Sequence, residues 1–293
     1  YLKNDEIIFT KGDSKAVNDN TVILAQEFKY LKKTNLLIAK NKVTIDDPDE
    51  DIVIFSQEIT YDQNKNVIFT EGFTEARVQN KYNFYSKNVF YNKQNAELSS
   101  KKKTQVLDDK YNLYELDKFN YSKKEFLLKG ENVKIKTNFN SNINSDEYFF
   151  ESGFFDLDNR NFNASNTKIS MQKSIFGNIE NDPRLFGVTS FKEGKITQVN
   201  KGMFTSCKKR EGCPPWSIQA QKIIHDKKKK QLIYDHAFIK VYDFPIVYFP
   251  KFFHPDPTVK RQSGLLKPIL NESETLGSSL QLPYFKILST DRD

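Results

Sequence analysis

The sequence predicts an all-β protein, and three observations predict it. Phenylalanine and tyrosine number 25 and 14 beside a single tryptophan, and aromatic residues suit the pleated, half-buried surface of a strand. Apolar and polar residues alternate in short runs, as where Val133, Ile135 and Thr137 oppose Asn132, Lys134 and Lys136. That is the pattern of a sheet with one dry face and one wet face. No segment sustains a helical period over about twelve residues.

Within this pattern a unit recurs. FKYLKKTNLLIAKNKVTI runs from Phe28 to Ile45, ITYDQNKNVIFTEGFTEARV from Ile59 to Val78, VFYNKQNAELSS from Val89, and FNYSKKEFLLKGENVKIK from Phe119 to Lys136. Tyr30, Tyr61, Tyr91 and Tyr121 mark its register at spacings of 31, 30 and 30 residues. The pattern loosens near Asp156 and returns at Asp226, 70 residues on, or two steps of 35. The opening NDEIIFTKGDSKAV resembles NKNVIFTEGFTEARV and reads as the second half of a unit whose first half is missing. Each unit reads as a strand, a turn rich in Asn, Asp, Lys and Gly, and a second strand. A fixed period of this length signals stacked repeats. Many short strands hide their edges and apolar faces as a sandwich, a jelly roll or a spiral of stacked turns.

The C-terminal fifth differs. Only Pro48 and Pro183 precede Cys213, whereas eight prolines follow it. FPIVYFPKFFHPDP, from Phe244 to Pro257, interleaves four of them with aromatics, so a stiff connector without strand pairing is expected there. Beyond it, Arg261 to Asp293 reads as two strands, Gly264–Leu270 and Ser278–Ser289, joined by a polar turn. Two strands alone are not a stable domain, so this hairpin reads as the opening of a larger sheet.

Composition narrows the function. Hydrophobic residues make up 38% and mean hydropathy is −0.66, which leaves no apolar run of the ~20 residues that a membrane-crossing helix needs. The net charge of +7 is compatible with polyanionic partners, but Lys and Asn are abundant throughout. The Lys101–Lys103 and Lys227–Lys230 runs are expected at solvated hairpin tips. YLKNDEII lacks the basic start and apolar core of a signal peptide. No G-x-S-x-G, H-E-x-x-H or phosphate-binding glycine loop occurs, and the pairs Asp46/Asp47 and Asp108/Asp109 fall in turn-like sequence expected to be solvated. No catalytic group, metal or cofactor is expected. Cys207 and Cys213 lack zinc-ligand spacing, and His225, His236 and His254 read as surface or packing residues. Trp216 is expected in the core near the junction.

One stretch carries a resemblance. Thr205-Ser206-Cys207, a second cysteine at 213, Pro214-Pro215-Trp216-Ser217-Ile218-x-Ala220, the proline–aromatic connector from Phe244, Arg261-Gln-Ser-Gly-Leu-Leu-x-Pro268 and Gly277-x-x-Leu280-x-Leu282-Pro283-Tyr284 follow one another in order. This resembles the LptD (OstA, organic-solvent-tolerance) family of outer-membrane lipopolysaccharide-assembly proteins. The upstream units more weakly resemble the OstA-type repeats of that pathway.

The resemblance implies a periplasmic β-jelly roll over residues 1–250, followed at 251–293 by a hinge and the first strands of a truncated outer-membrane barrel. It implies lipopolysaccharide as cargo, received from a periplasmic bridge protein at the N-terminal edge and delivered to a barrel plugged by a lipoprotein. Phe69, Leu128, Ile135 and Ile239 would face the lipid in the interior. Pro245, Pro250, Pro255 and Pro257 would form the hinge, and Pro268 and Pro283 would weaken the barrel seam as a lateral gate. Leu280, Leu282, Tyr284 and Ile287 roughly follow barrel alternation, which slips at Phe285. Cys207 and Cys213 are disulfide candidates, with each other or with cysteines beyond the barrel. Three rivals are a stand-alone bridge protein, a β-solenoid enzyme acting on polysaccharide, and a nucleic-acid binder. The last needs aromatics and cations on one exposed face, whereas alternation points the aromatics inward, so no nucleic-acid partner is expected.

Overall fold

The computed structural model describes residues 2–3, 6–141, 145–171, 182–209, 212, 214–255, 259, 263–266, 269–273 and 277–288. Every regular element among them is a strand. Contacts divide the chain into two units, Tyr1–Ser141 with Phe150–Asn159, and Asn142–Phe149 with Arg160–Asp293.

The first unit is an antiparallel meander: β1 (Leu2–Lys3), β2 (Ile7–Asn18), β3 (Thr21–Leu31), β4 (Leu36–Asp47), β5 (Ile52–Asp62), β6 (Val67–Val78), β7 (Tyr82–Lys87), β8 (Phe90–Asn92), β9 (Glu97–Ser100), β10 (Thr104–Asp108), β11 (Leu113–Leu116), β12 (Lys118–Ser122) and β13 (Leu127–Lys136). The following strand, β14 (Glu147–Asp156), is shared between the units. The long strands bend near their middles. Register shifts fall at Lys11/Ser14, Leu24/Glu27, Lys40/Val43 and Ser56/Glu58. Left-handed backbone occurs near these shifts at Gly12 (φ 100°), Asn41 (66°) and Gly72 (80°), and in β13 at Asn132 (50°). Glycine and asparagine tolerate that conformation best. Further along, the bend breaks the strand outright, so that β7/β8, β9/β10 and β11/β12 are halves of single passes. Pairing from β6 through β7, β10, β11, β13, β12, β9 and β8 returns to β6, a closed circuit of eight strands. Lys101–Lys103 occupies one of these breaks, a correction to the hairpin tip expected from its charge.

The bends have a measurable consequence. A flat strand of eleven residues would hold its two ends roughly 35 Å apart. Yet Tyr61, at the end of β5, accepts a bond from Asn18 at the opposite end of the ladder (2.7 Å), and Tyr91 reaches Asp47 in the same sense. The meander therefore folds over on itself, laying first halves on second halves. Phe84 of β7 packs on Phe119 and Tyr121 of β12, with centroids 5.4 and 5.1 Å apart.

The second unit repeats the scheme with β15 (Asn161–Ser170), β16 (Arg184–Glu193), β17 (Ile196–Thr205), β18 (Trp216–Asp226), β19 (Gln231–Val241) and β20 (Phe244–Pro255), each paired with the next. Asn166, Lys201 and His236 carry the left-handed bends. Leu185, Val199, Phe204, Trp216, Ile223, Leu232 and Tyr234 form the core. Lys227–Lys230 is a turn, as expected. The tail forms β21 (Gly264–Leu265), β22 (Ile269–Ser273), β23 (Gly277–Gln281) and β24 (Tyr284–Phe285). β22 pairs with β23 and β21 with β24, both antiparallel, so described residues of the two expected strands pair with one another.

Candidate functional site

Three of the four residues expected to face lipid point inward. Leu128, Ile135 and Ile239 are 0%, 9% and 2% exposed. Phe69 is the correction. Its neighbours Ile68 and Thr70 are wholly buried, so strand alternation turns Phe69 outward, 38% exposed. Nor do the inward residues of the first unit line an open trough: Tyr61, Tyr91, Tyr121 and Leu128 are covered completely by the protein's own atoms.

Among the described residues, side-chain bonds and not a backbone ladder join the strand ends on the open side of the folded meander. The Tyr91 hydroxyl donates to Asp47 at 2.7 Å, Asn18 donates to Tyr61, and the Lys123 ammonium lies 3.2 Å from Glu50. All three join opposite ends of the strands. Burial, and then the facing Asp47 carboxylate, push the Tyr91 hydroxyl well above the ordinary tyrosine range. Asp47 is 2% exposed, which corrects its expected solvated role. Asp108 binds the backbone amides of Lys110 and Asn112 and so caps its own turn.

In the second unit Trp216 is buried beside Phe204, centroids 6.2 Å apart. Cys207 is a free thiol with Sγ 3.7 Å from the Trp216 carbonyl. Its candidate partner Cys213 lies outside the described residues. His254 Nε2 meets the Tyr234 hydroxyl and His236 Nδ1 meets Tyr248, both at 2.8 Å.

The connector is not the unpaired segment that its prolines suggest. Phe244–Pro255 is a full strand paired along β19. Its prolines occupy places where the ladder asks for no donor. Pro245 follows the start of the strand at a register shift, Pro255 ends it, and Pro250 falls opposite the left-handed His236, where the pairing skips from Asp235 to Ala237. Val247, Phe249 and Phe252 face the core, while Phe244, Ile246, Tyr248 and Phe253 stand 75%, 48%, 46% and 40% exposed on the other face. Pro257 and Pro268 lie outside the described residues. Pro283 sits between β23 and β24, its carbonyl accepting from the Leu266 amide at 2.9 Å.

No family model matches the chain. It is similar to "LPS-assembly protein LptD" of Hahella chejuensis, 27% identical over 141 residues, covering 47% of the chain and 16% of that protein. It is similar to the same-named proteins of Pseudomonas entomophila, 29% over 167 residues (57% and 16%), and Methylococcus capsulatus, 33% over 85 residues (28% and 8%). The chain is a partial and distant relative of the LptD family. The matched stretch spans about a sixth or less of these curated relatives. An all-β fold of bent strands agrees with the architecture that the LptD resemblance implied.

Proposed function

We propose that the chain serves lipopolysaccharide assembly at the outer membrane, its folded meander accepting acyl chains between the two layers and passing them toward a barrel that the 263–288 hairpin begins. Residues before the hairpin would lie in the periplasm. One observation carries this reading beyond the sequence similarity. Among the described residues, the strand ends that meet on the open side of the first unit's apolar interior are joined by side-chain bonds, Asn18–Tyr61, Tyr91–Asp47 and Lys123–Glu50.

The magnitudes favour opening. A hydrogen bond contributes about 0.5–1.5 kcal/mol net, so the three together oppose parting by a few kcal/mol. Each acyl methylene taken out of water gains about 0.8 kcal/mol, and a lipid with several chains exceeds that barrier easily. Because the layers are packed when empty, acyl chains would enter by displacing inward side chains, not by filling a standing channel. In this scheme Pro245, Pro250, Pro255 and Pro257 orient the second unit against the barrel, and Pro268 and Pro283 weaken the first barrel hairpin. A periplasmic bridge protein would supply the lipid and a plug lipoprotein would fill the barrel.

Photo-crosslinking in cells tests the path. Probes at Leu128 and Ile135 label lipopolysaccharide, while probes at the outward Lys29 and Lys134 do not. Equal labelling from both sets ends the interior route.

A further inference from the structure

The outer face of the first unit carries a groove of about 740 Å³ beside the broken strands, within the range of small-ligand clefts. A row of directly paired outward residues builds it: Phe69 opposes Phe90, Phe90 opposes Ser99, Ser99 opposes Asn120, and Asn120 opposes Lys129. Two phenylalanines thus form an apolar wall, 38% and 41% exposed, and the short Ser99 and Asn120 leave a trough beside it. Nothing in the β-sheet requires this wall. Two large aromatics paired on a solvent face give the groove a local apolar surface.

The break between β9 and β10 supplies the other half of the site. It places Lys101 and Lys102 at the groove, where Lys118 and Lys129 also lie. Lys118 is held 2.8 Å from Glu131, and Lys129 lies over the Phe154 ring, 5.4 Å from its centroid. Lys101 and Lys102 have no acidic partner among the described residues. The groove therefore joins an apolar wall to two uncompensated ammonium groups.

We propose that this groove binds a single-chain anionic amphiphile, its alkyl chain on Phe69 and Phe90 and its phosphate or carboxylate on Lys101 and Lys102. A neutral amphiphile leaves the two cations unanswered, and a bare anion leaves the aromatic wall wet. The site is separate from the proposed acyl path, because Phe69 and Phe90 face away from the interior that contains Ile68 and Leu128. It stands or falls independently of that path.

Calorimetric titration of the 293-residue chain with dodecyl phosphate, below its micelle concentration, tests the assignment. Dodecyl maltoside and inorganic phosphate are titrated in parallel. Dodecyl phosphate binds at least tenfold more tightly than either, and its affinity falls at least tenfold in both Lys101→Glu/Lys102→Glu and Phe69→Ser/Phe90→Ser. All four are surface positions, and thermal melts verify folding; Lys101→Gln/Lys102→Gln replaces the charge reversal if that variant melts early. Undiminished binding in both double variants places the amphiphile in the interior and overturns the groove. Equal binding of maltoside, equal binding of inorganic phosphate, or no binding of dodecyl phosphate overturns it as well.

Discussion

The Tyr91 hydroxyl donates to Asp47 Oδ2 at 2.7 Å, with both residues buried, although 44 positions separate them in the chain. The repeat explains the bond and predicts where it fails. Asn18, Asp47 and Val78 close β2, β4 and β6; Tyr61 takes Asn18, Tyr91 takes Asp47, and Tyr121 is left with Val78. The Tyr121 hydroxyl is indeed buried with no hydrogen-bond partner among the described residues. Opposite mutational outcomes follow at equivalent positions. Tyr91→Phe destabilises by about 1–3 kcal/mol, because it strands a buried carboxylate, whereas Tyr121→Phe is neutral or stabilising by up to about 1 kcal/mol. Urea unfolding midpoints check both, and equal losses in the two variants contradict the assignment.

Alkaline pH acts on the same groups. Burial raises the hydroxyls of Tyr91, Tyr121, Tyr148 and Tyr234 above their ordinary value, so the folded chain holds these protons more tightly than the unfolded chain does. Stability is therefore unaffected below about pH 10, where unfolded tyrosines keep their protons, and declines above it by about 1.4 kcal/mol per pH unit for each such tyrosine. Denaturant unfolding measured between roughly pH 9 and 12 shows the decline, and Tyr121→Phe makes it shallower by one tyrosine's share.

At the break between β11 and β12 the backbone of Gly130 lies so close to Leu116 that an added Cβ would fall 2.4 Å from Leu116 Cδ2. Gly130→Ala is expected to cost about 1–3 kcal/mol through overpacking. In the Leu116→Ala background the same change costs markedly less. A thermal-melt double-mutant cycle reads the coupling.

The all-β class was legible because alternation and turn residues act locally. The tyrosine register was legible too, since one residue per unit repeats the same inward place, half-buried at Tyr30 and fully buried at Tyr61, Tyr91 and Tyr121. The folding-over was not, because its cause is a left-handed residue in mid-strand, and Asn41, Asn132 or Lys201 looks like any other polar residue in an alternating run. For the same reason Phe69 was assigned to the interior: hydrophobicity ranks it above Thr70, but parity buries Thr70 and exposes Phe69. Asp47 read as a turn carboxylate because its partner is 44 residues away. Proline density around Pro250 suggested an unpaired segment, whereas position relative to the bend at His236 decides whether a proline breaks a ladder.

Among the described residues β20 pairs on one side only, with β19, and an edge strand is a template for association. Its prolines remove donors along that edge. Replacing Pro245, Pro250 and Pro255 together by threonine restores those donors and raises the β propensity. The variant is expected to self-associate in a concentration-dependent way by sedimentation velocity. A variant that sediments like the parent at every concentration assigns these prolines no protective role.

The seam between Lys123 and Glu50 gives the transport reading its sharpest test. They belong to opposite ends of the strands, yet folding-over brings their side chains within 3.2 Å of one another, so a covalent tie there holds the layers together without touching the interior. Lys123→Cys with Glu50→Cys, in a background carrying Cys207→Ser and Cys213→Ser, is treated with a short bis-maleimide in cells that depend on this protein. If acyl chains enter by parting the layers, surface delivery of lipopolysaccharide falls at least tenfold on crosslinking and is unchanged in either single-cysteine variant given the same reagent. Full delivery with the tie in place means that lipid never passes between these strands, and the interior route fails even though the fold stands.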